Sequence, residues 1–486
     1  MIKRAITNHD LMKWGLGSTA PTTRARRGVF FCVLGVCLVL NTACNRRSTS
    51  APVRKHEGPN VVLISLDTTR SDHLGCYGYD KPVSPRIDEL AERGTVFNMA
   101  MCTASVTPVS HASILTGHNP YTHGLRVLHG LYDYQLPDTA VTMAEVLGGV
   151  GYQTAAFISA FPAGGRFGLA QGFDIFNENF LKNSVQQIVT EDGTVNTGLN
   201  QRRAGPTTDL ALDWLGQTES PFFLWLHYFD PHDPMLLPPG DYLRKHPVPT
   251  GTTNEVLRTL YDIEIQYMDE HIGRVVDYLE SGGQLDNTVI VIVSDHGEGL
   301  GDHNWWSHGI LYQEQIQAVL IVAAPGKPRG RKVDHLVSII DVMPTTLELV
   351  GLDIEQMPEM DGQSIMPMLA GDTSESLRTV YADAVNTFSA YGDTALKSVG
   401  REDDMLFCIT DGRWKYIHHL KYENNSELYD LKNDPGELKN LYASNQDHVE
   451  RLRQDLQARR PMPSLRQSGN MTAEDIKRLQ SLGYAR

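Results

Sequence analysis

Thr288-Val289-Ile290-Val291-Ile292-Val293-Ser294-Asp295-His296-Gly297-Glu298 is a continuous apolar run that ends in a carboxylate, an imidazole and a second carboxylate. The run has no alternation of polar and apolar residues, so it reads as a strand buried on both faces of a sheet. In open α/β sheets, ligands bind at the carboxyl ends of the strands. There Asp295 offers a hard oxygen and His296 a borderline nitrogen, a pair suited to a divalent metal. Far upstream, Asn60-Val61-Val62-Leu63-Ile64-Ser65-Leu66-Asp67 repeats the pattern of an apolar strand that stops in Asp. Two strands that each deliver a carboxylate to one sheet edge make Asp67, Asp295 and His296 a candidate metal site.

Between and after these strands the chain alternates. Apolar strand signals at 97–100, 154–158, 222–227 and 319–323 are interleaved with helical spacing at 88–94, 139–147, 207–215, 254–280 and 341–350. Alternating strands and helices predict an α/β fold, a mostly parallel sheet sandwiched by helices. After about residue 370 the pattern becomes short alternating strands at 379–381, 406–409, 414–417 and 427–431, with Asp411-Gly412 as a hairpin signal and a helix at 448–458. This predicts a small C-terminal α+β subdomain with an antiparallel sheet. His418-His419 and Lys415 are expected on that sheet's surface.

The chain has 486 residues, 41% hydrophobic and 21% charged, with a formal net charge of −15. That is globular composition, and its acidity argues against nucleic acid as a partner. Residues 1–28 are basic, 29–40 apolar, and Asn41-Thr42-Ala43-Cys44 has the small residues of a cleavage site. The apolar run is shorter than the roughly 20 residues of a spanning helix. Residues 1–44 therefore read as an export signal. Ala43-Cys44 resembles a bacterial lipoprotein site, where Cys44 becomes a lipid anchor and the membrane contact is through that anchor; simple secretion and an uncleaved anchor stay open. Residues 45–58 read as a linker, 59–370 as the catalytic domain and 371–486 as the C-terminal subdomain and tail. Cys76, Cys102 and Cys408 are the cysteines beyond the leader, too few for a disulfide scaffold. The expected location is periplasmic or cell-surface.

Several further segments carry a resemblance. They are Leu66-Asp67-Thr68-Thr69-Arg70-Ser71-Asp72, Thr107-Pro108-Val109-Ser110-His111 with Leu115-Thr116-Gly117, His227-Tyr228-Phe229-Asp230-Pro231-His232, Asp295–Glu298, His308-Gly309 and the closing Leu479-Gln480-Ser481-Leu482-Gly483-Tyr484. In this order they resemble the sulfatase family of the alkaline phosphatase superfamily over nearly the whole chain after the leader. The resemblance implies an alkaline-phosphatase-like fold and metal-dependent hydrolysis of sulfate esters.

It also places Thr107 where the family carries the Cys or Ser that becomes formylglycine. Threonine is not a substrate for that conversion, so no formylglycine is expected. A threonine hydroxyl held by a metal can itself attack phosphorus or sulfur, as in other branches of the superfamily. The resemblance thus implies Asp67, Thr107, Asp295 and His296 as ligands of one divalent metal ion. That set favours Zn or Mn; the family favours Ca. His232 matches the histidine that protonates the leaving oxygen, His308 a residue that contacts the anion, and His111 stands in place of an Arg beside the nucleophile. A second metal at His227, Asp230 and His308 is a weaker alternative. The family's Lys-x-His element is missing, Phe157–Phe161 standing in that region, so a phosphoester hydrolase or phosphotransferase remains open beside the sulfatase, as does an inactive binding protein. The expected partner is a sulfated or phosphorylated small molecule or polysaccharide.

Overall fold

A computed structural model describes residues 57–126, 135–180, 188–189, 195–196, 200–219, 221–232, 238–247, 250–372, 374, 378–384 and 404–459. The leader, most of the linker and the closing 479–484 motif lie outside the described residues. In chain order the strands are β1 (Asn60–Leu66), β2 (Thr95–Met101), β3 (Gln153–Ile158), β4 (Ile175–Asn177), β5 (Ile188–Val189), β6 (Val195–Asn196), β7 (Phe222–Tyr228), β8 (Thr288–Ser294), β9 (Gln317–Ala318), β10 (Leu320–Ala323), β11 (Arg331–Ser338), β12 (Val380–Ala384), β13 (Leu406–Thr410), β14 (Trp414–His419) and β15 (Glu427–Asp430).

The large sheet runs β11-β2-β10-β8-β1-β7-β3-β4, with β9 beside β2. It is mostly parallel; β10 is the internal exception, antiparallel to both β8 and β2. β1 lies in the middle, parallel to β7 on one side and to β8 on the other, with Leu66 in register with Tyr228 and with Ser294. That register brings Asp67 and Asp295, one residue past their strands, to the same edge.

Both sheet faces are covered, as the continuous apolar strands require. Val61 and Leu63 of β1 and Val289, Val291 and Val293 of β8 point into one core. Val62, Ile64, Ile290 and Ile292 point into the other. The helix Thr253–Ser281 covers the second face with Ile265, Met268, Ile272 and Leu279. Thr252 starts it with a reciprocal capping box to Glu255. Among the described residues no helix is long and apolar enough to cross a membrane.

The second sheet is antiparallel in the order β12-β13-β14-β15. Tyr381, Phe407, Ile409, Tyr416 and Leu428 pack on Val449, Leu452 and Leu456 of the helix Gln446–Ala458. Gly412, at φ +91°, makes the β13–β14 turn, a conformation that favours glycine. Lys415 and His419 depart from expectation: both are fully buried rather than on the surface. They face the seam with the large sheet, where Lys415 Nζ lies 2.7 Å from Glu437 and His419 bridges Asp404 and Glu427. Cys76, Cys102 and Cys408 are free thiols.

Candidate active site

Asp67 begins the loop after β1, and the backbone there is forced. Thr68 has φ +50°, costly for a β-branched residue by about 1–3 kcal/mol. Tyr261 of the long helix holds that conformation: its hydroxyl donates to Thr68 O at 2.7 Å and accepts Arg70 N–H at 2.8 Å. The Arg70 guanidinium joins Asp72 and Asp302 and reaches the Glu298 and Gly299 carbonyls, tying the β1 loop to the β8 loop. Gly297 is required where the loops cross, because a Cβ there would meet Glu314 O at 2.1 Å.

Each metal-candidate side chain is oriented by a second group. Ser159 N–H donates to His227 Nδ1 at 3.2 Å, so His227 Nε2 carries the hydrogen and donates to Asp67 Oδ2 at 3.0 Å. Asp295 Oδ1 accepts the N–H groups of Thr68 and His296. His296 Nδ1 donates to Gly297 O at 2.9 Å, which turns the Nε2 lone pair inward, 3.4 Å from Asp295 Oδ2 and 3.4 Å from the Thr107 hydroxyl. The Thr107 hydroxyl also hydrogen-bonds the Asp67 carboxylate. Asp67, Thr107, Asp295 and His296, from three distant parts of the chain, therefore converge, and all four are fully buried.

Asp67 Oδ1 and Asp295 Oδ2 have no hydrogen-bond partner. Burial, then the charge of Asp67, drives the Asp295 carboxyl well above the carboxylate range; burial does the same to Asp67 against the pull of Thr107. Burial, then His308, holds His296 well below the usual histidine range, as a neutral ligand must be. Two buried, mutually repelling carboxylates with orphaned oxygens beside an inward imidazole lone pair fit a divalent cation.

Thr107 opens the helix Thr107–Thr116, whose first N–H groups favour negative charge on nearby oxygen. This helix carries no apolar stripe because every residue in it is buried. His111 lies one turn on. Its Nδ1 donates to Thr107 O at 2.8 Å, and its Nε2 accepts from the Ser65 hydroxyl at 3.0 Å, which in turn accepts Trp225 Nε1–H at 2.9 Å. Both ring nitrogens are thus engaged in holding the Thr107 backbone. His308 Nδ1 donates to Ser105 O at 2.9 Å, and its Nε2 lies 3.2 Å from His232 Nε2. His232 stacks on Phe229 with ring centroids 4.1 Å apart. Burial brings His308 down to about 4 and, with the charge of His308, pulls His232 well below its usual range.

Among the described residues His227, Asp230 and His308 do not form a group with metal-ligand spacing. His227 is spent on Asp67, and Asp230 accepts Ala204 N–H and lies beside Arg203. Among the described residues the one group with metal-ligand spacing is Asp67, Asp295 and His296. Sequence reasoning missed His227 as the orienter of Asp67, the Ser65–Trp225 relay and Tyr261. Only His227 had a local signal, its place at the end of an apolar strand. Arg202 was missed as well: buried close to His227, it spends its guanidinium on Ile158 O, Asn177 and Thr207.

Known proteins resemble this chain over most of its length. The sulfatase family model matches residues 59–352, and the C-terminal model of N-sulphoglucosamine sulphohydrolase matches 301–462. An arylsulfatase of Clostridium perfringens is 26% identical over 81% of this chain and 92% of its own. The multifunctional alkaline phosphatase superfamily protein PehA of Trinickia caryophylli is 30% identical over 79% of this chain and 91% of its own. A structure solved in complex with its substrate D-glucosamine-2-N,6-O-disulfate superposes with a TM-score of 0.64 at 20% identity, over 83% of this chain and 95% of the other. By the family model over most of its length and by the shared fold, the chain belongs to the sulfatase family of the alkaline phosphatase superfamily, a family of ester hydrolases.

Proposed function

We propose that this protein hydrolyses sulfate esters of a saccharide or other small molecule with Thr107, unmodified, as nucleophile. The observation that carries this reading is the Thr107 hydroxyl set against Asp67 and 3.4 Å from His296 Nε2 at the mouth of a helix. A divalent cation held by Asp67, Asp295 and His296 would lower the pKa of that hydroxyl and offset charge on the ester. The Thr107 hydroxyl passes its proton to solvent and its oxygen attacks sulfur in line, forming the Oγ1–S bond as the S–O bond to the sugar breaks. His232, paired with His308, supplies the proton to the leaving oxygen. An arriving anion provides the counter-charge that lets this histidine pair hold an extra proton. Water next attacks sulfur, the S–Oγ1 bond breaks, and Thr107 regains its proton as sulfate leaves. His111 keeps Thr107 in place through the backbone.

The saccharide class is supported by the N-sulphoglucosamine sulphohydrolase model and by the glucosamine disulfate complex of the structural neighbour. The phosphoester reading is favoured by one feature, a threonine in the formylglycine position, and by the multifunctional relative. We extend the proposal to the ends of the chain: residues 1–44 as a lipoprotein-type export signal, 45–58 as tether, 59–370 as catalytic domain and 371–486 as subdomain and tail.

The test is a panel of aryl sulfate, aryl phosphate monoester and aryl phosphate diester with chelated protein to which Zn, Mn or Ca is added back. Wild type should turn over aryl sulfate fastest with one of these metals, and Thr107→Ala should not. Faster phosphoester turnover would select the alternative. An aldehyde in the mass of the Thr107 peptide would overturn the nucleophile assignment.

A further inference from the structure

The loop from Gly297 to His308 separates the metal-candidate His296 from the His232–His308 pair, and it is unusually strained. Leu300, His303 and Asn304 all have positive φ, at 47°, 50° and 58°. Such strain persists only where surroundings over-determine it. Asp302 is held by Arg70 and Arg258. His303 is held by something else, the seam with the C-terminal sheet.

His303 stacks on Tyr312 with centroids 3.8 Å apart and planes 7° from parallel. Its Nδ1 lies 2.9 Å from Glu314 Oε1 and its Nε2 3.3 Å from Glu437 O. Glu437 is itself bent to φ +53° and buried. Its carboxylate accepts Gln313 N–H at 2.6 Å and lies 2.7 Å from Lys415 Nζ of β14. Lys415 also donates to the Gln313 side chain at 3.2 Å. Tyr312 is braced from the same sheet, its hydroxyl donating to Glu427 of β15 at 2.9 Å. The segment so fixed then grips both ends of the loop: Gln315 O accepts Gly297 N–H at 2.9 Å and the Gln315 side chain accepts Ile310 N–H at 3.0 Å.

We infer that Glu437 is a positioning residue of the active site: through Gln313 and His303 it fixes the strained loop that carries His308, so that the C-terminal sheet sets the catalytic geometry. The part about catalysis rests on the proposed role of His308.

The experiment compares Glu437→Gln and His303→Phe, which keeps the stack on Tyr312, with Leu452→Ala, a core truncation in the helix packed on the same sheet that touches neither residue's hydrogen bonds. Rates are taken relative to wild type on whichever ester it turns over. Amide exchange of residues 297–310 is followed in the same proteins. Glu437→Gln and His303→Phe should lower kcat by about 10- to 100-fold, the scale of an ångström-level misplacement. KM should stay within about twofold, since ground-state binding is untouched. Exchange of the loop should quicken in these two. Leu452→Ala should melt earlier yet keep its kcat and its loop protection. Loss of kcat that simply tracks melting temperature across all three, or unchanged loop exchange in Glu437→Gln, overturns the inference. Activity surviving in Thr107→Ala would overturn the nucleophile assignment alone, because the exchange data and the relative rates do not depend on it.

Discussion

The carboxyl edge of the large sheet and the seam with the C-terminal sheet both bury charge, and they do so in opposite ways. At the seam, fully buried Lys415 meets Glu437 at 2.7 Å, and His419 sits between Asp404 and Glu427. Each carboxylate there faces a cation or an imidazole; Glu437 Oε1 has no hydrogen bond of its own, yet it lies against the Lys415 ammonium. At the edge, Asp67 and Asp295 face each other with one oxygen apiece left over; His227 gives a proton to the other Asp67 oxygen, and His296 turns a lone pair toward Asp295. Burial of charge alone therefore distinguishes nothing. The difference lies in what faces the leftover oxygen, a lysine ammonium at the seam and a second carboxylate at the edge, which marks the edge as a place for a cation and the seam as a joint.

The largest effect should come from the edge. Thr107→Ala removes the nucleophile while leaving the helix and its His111 bond to the Thr107 carbonyl, and should lower kcat by about 10⁴-fold or more. An unchanged melting temperature beside that loss would show that the hydroxyl serves chemistry rather than the fold. At the seam, Glu437→Gln leaves Lys415 buried without a counter-charge and should cost about 3–5 kcal/mol in a urea melt. Replacing both, as Lys415→Met with Glu437→Leu, should recover most of that stability, since an apolar pair tolerates burial. If the double variant is as unstable as the single, the joint depends on more than its charge balance.

The third test turns the comparison around. Asp295→Asn keeps the Oδ1 acceptor for Thr68 and His296 and puts a donor toward Asp67 in place of a repelling oxygen. Without metal it should be more stable than wild type by about 1–3 kcal/mol, because it relieves like charge in a dry site. Saturating metal should reverse the order, since wild type gains about 2.7 kcal/mol at one hundred times its Kd. A metal-free Asp295→Asn that melts below wild type would mean that the edge is balanced internally, as the seam is, and needs no cation.

The edge was legible in the sequence because strands buried on both faces leave continuous apolar runs, and β8 is Thr288–Ser294 in the structure as in the reading. The register that joins Asp67 to Asp295 follows from a parallel sheet once both runs are recognised. β11 was not legible. It is an edge strand rich in charge, Arg331, Lys332, Asp334 and His335, and a bulge between Val333 and Leu336 breaks its alternation. The Thr107–Thr116 helix was hidden for the opposite reason, since burial on every side erases the 3.6-residue stripe. The seam was misread because Lys415 and His419, beside the half-exposed His418, look like part of an outward polar row. Their partners, Glu437, Asp404 and Glu427, lie in other turns and strands, and nothing local pairs them. Tyr261 was invisible because its part in the site is one hydroxyl brought to the Asp67 loop by a helix that otherwise only packs.

The smallest effect is one of pH, and it belongs to the joint. His303 faces an acceptor with each ring nitrogen, Glu314 and the Glu437 carbonyl, so it satisfies both only when doubly protonated. Burial pulls its pKa down, but the hydrogen bond and charge of Glu314 outweigh that and raise it above 6.5. A histidine raised on folding stabilises the protein fully below its unfolded pKa and loses that contribution as pH rises through the folded value. His232, His296 and His308 are all lowered, so their changes fall on the acid side of that window. His419 is raised too, by Glu427 and Asp404 against its burial, and shares the window. The difference between wild type and His303→Phe therefore isolates the joint. It should shrink steadily as melts are taken from pH 6 upward, and a difference that stays constant with pH would mean that His303 is held neutral and that its stacking on Tyr312, rather than its two bonds, keeps the loop in place.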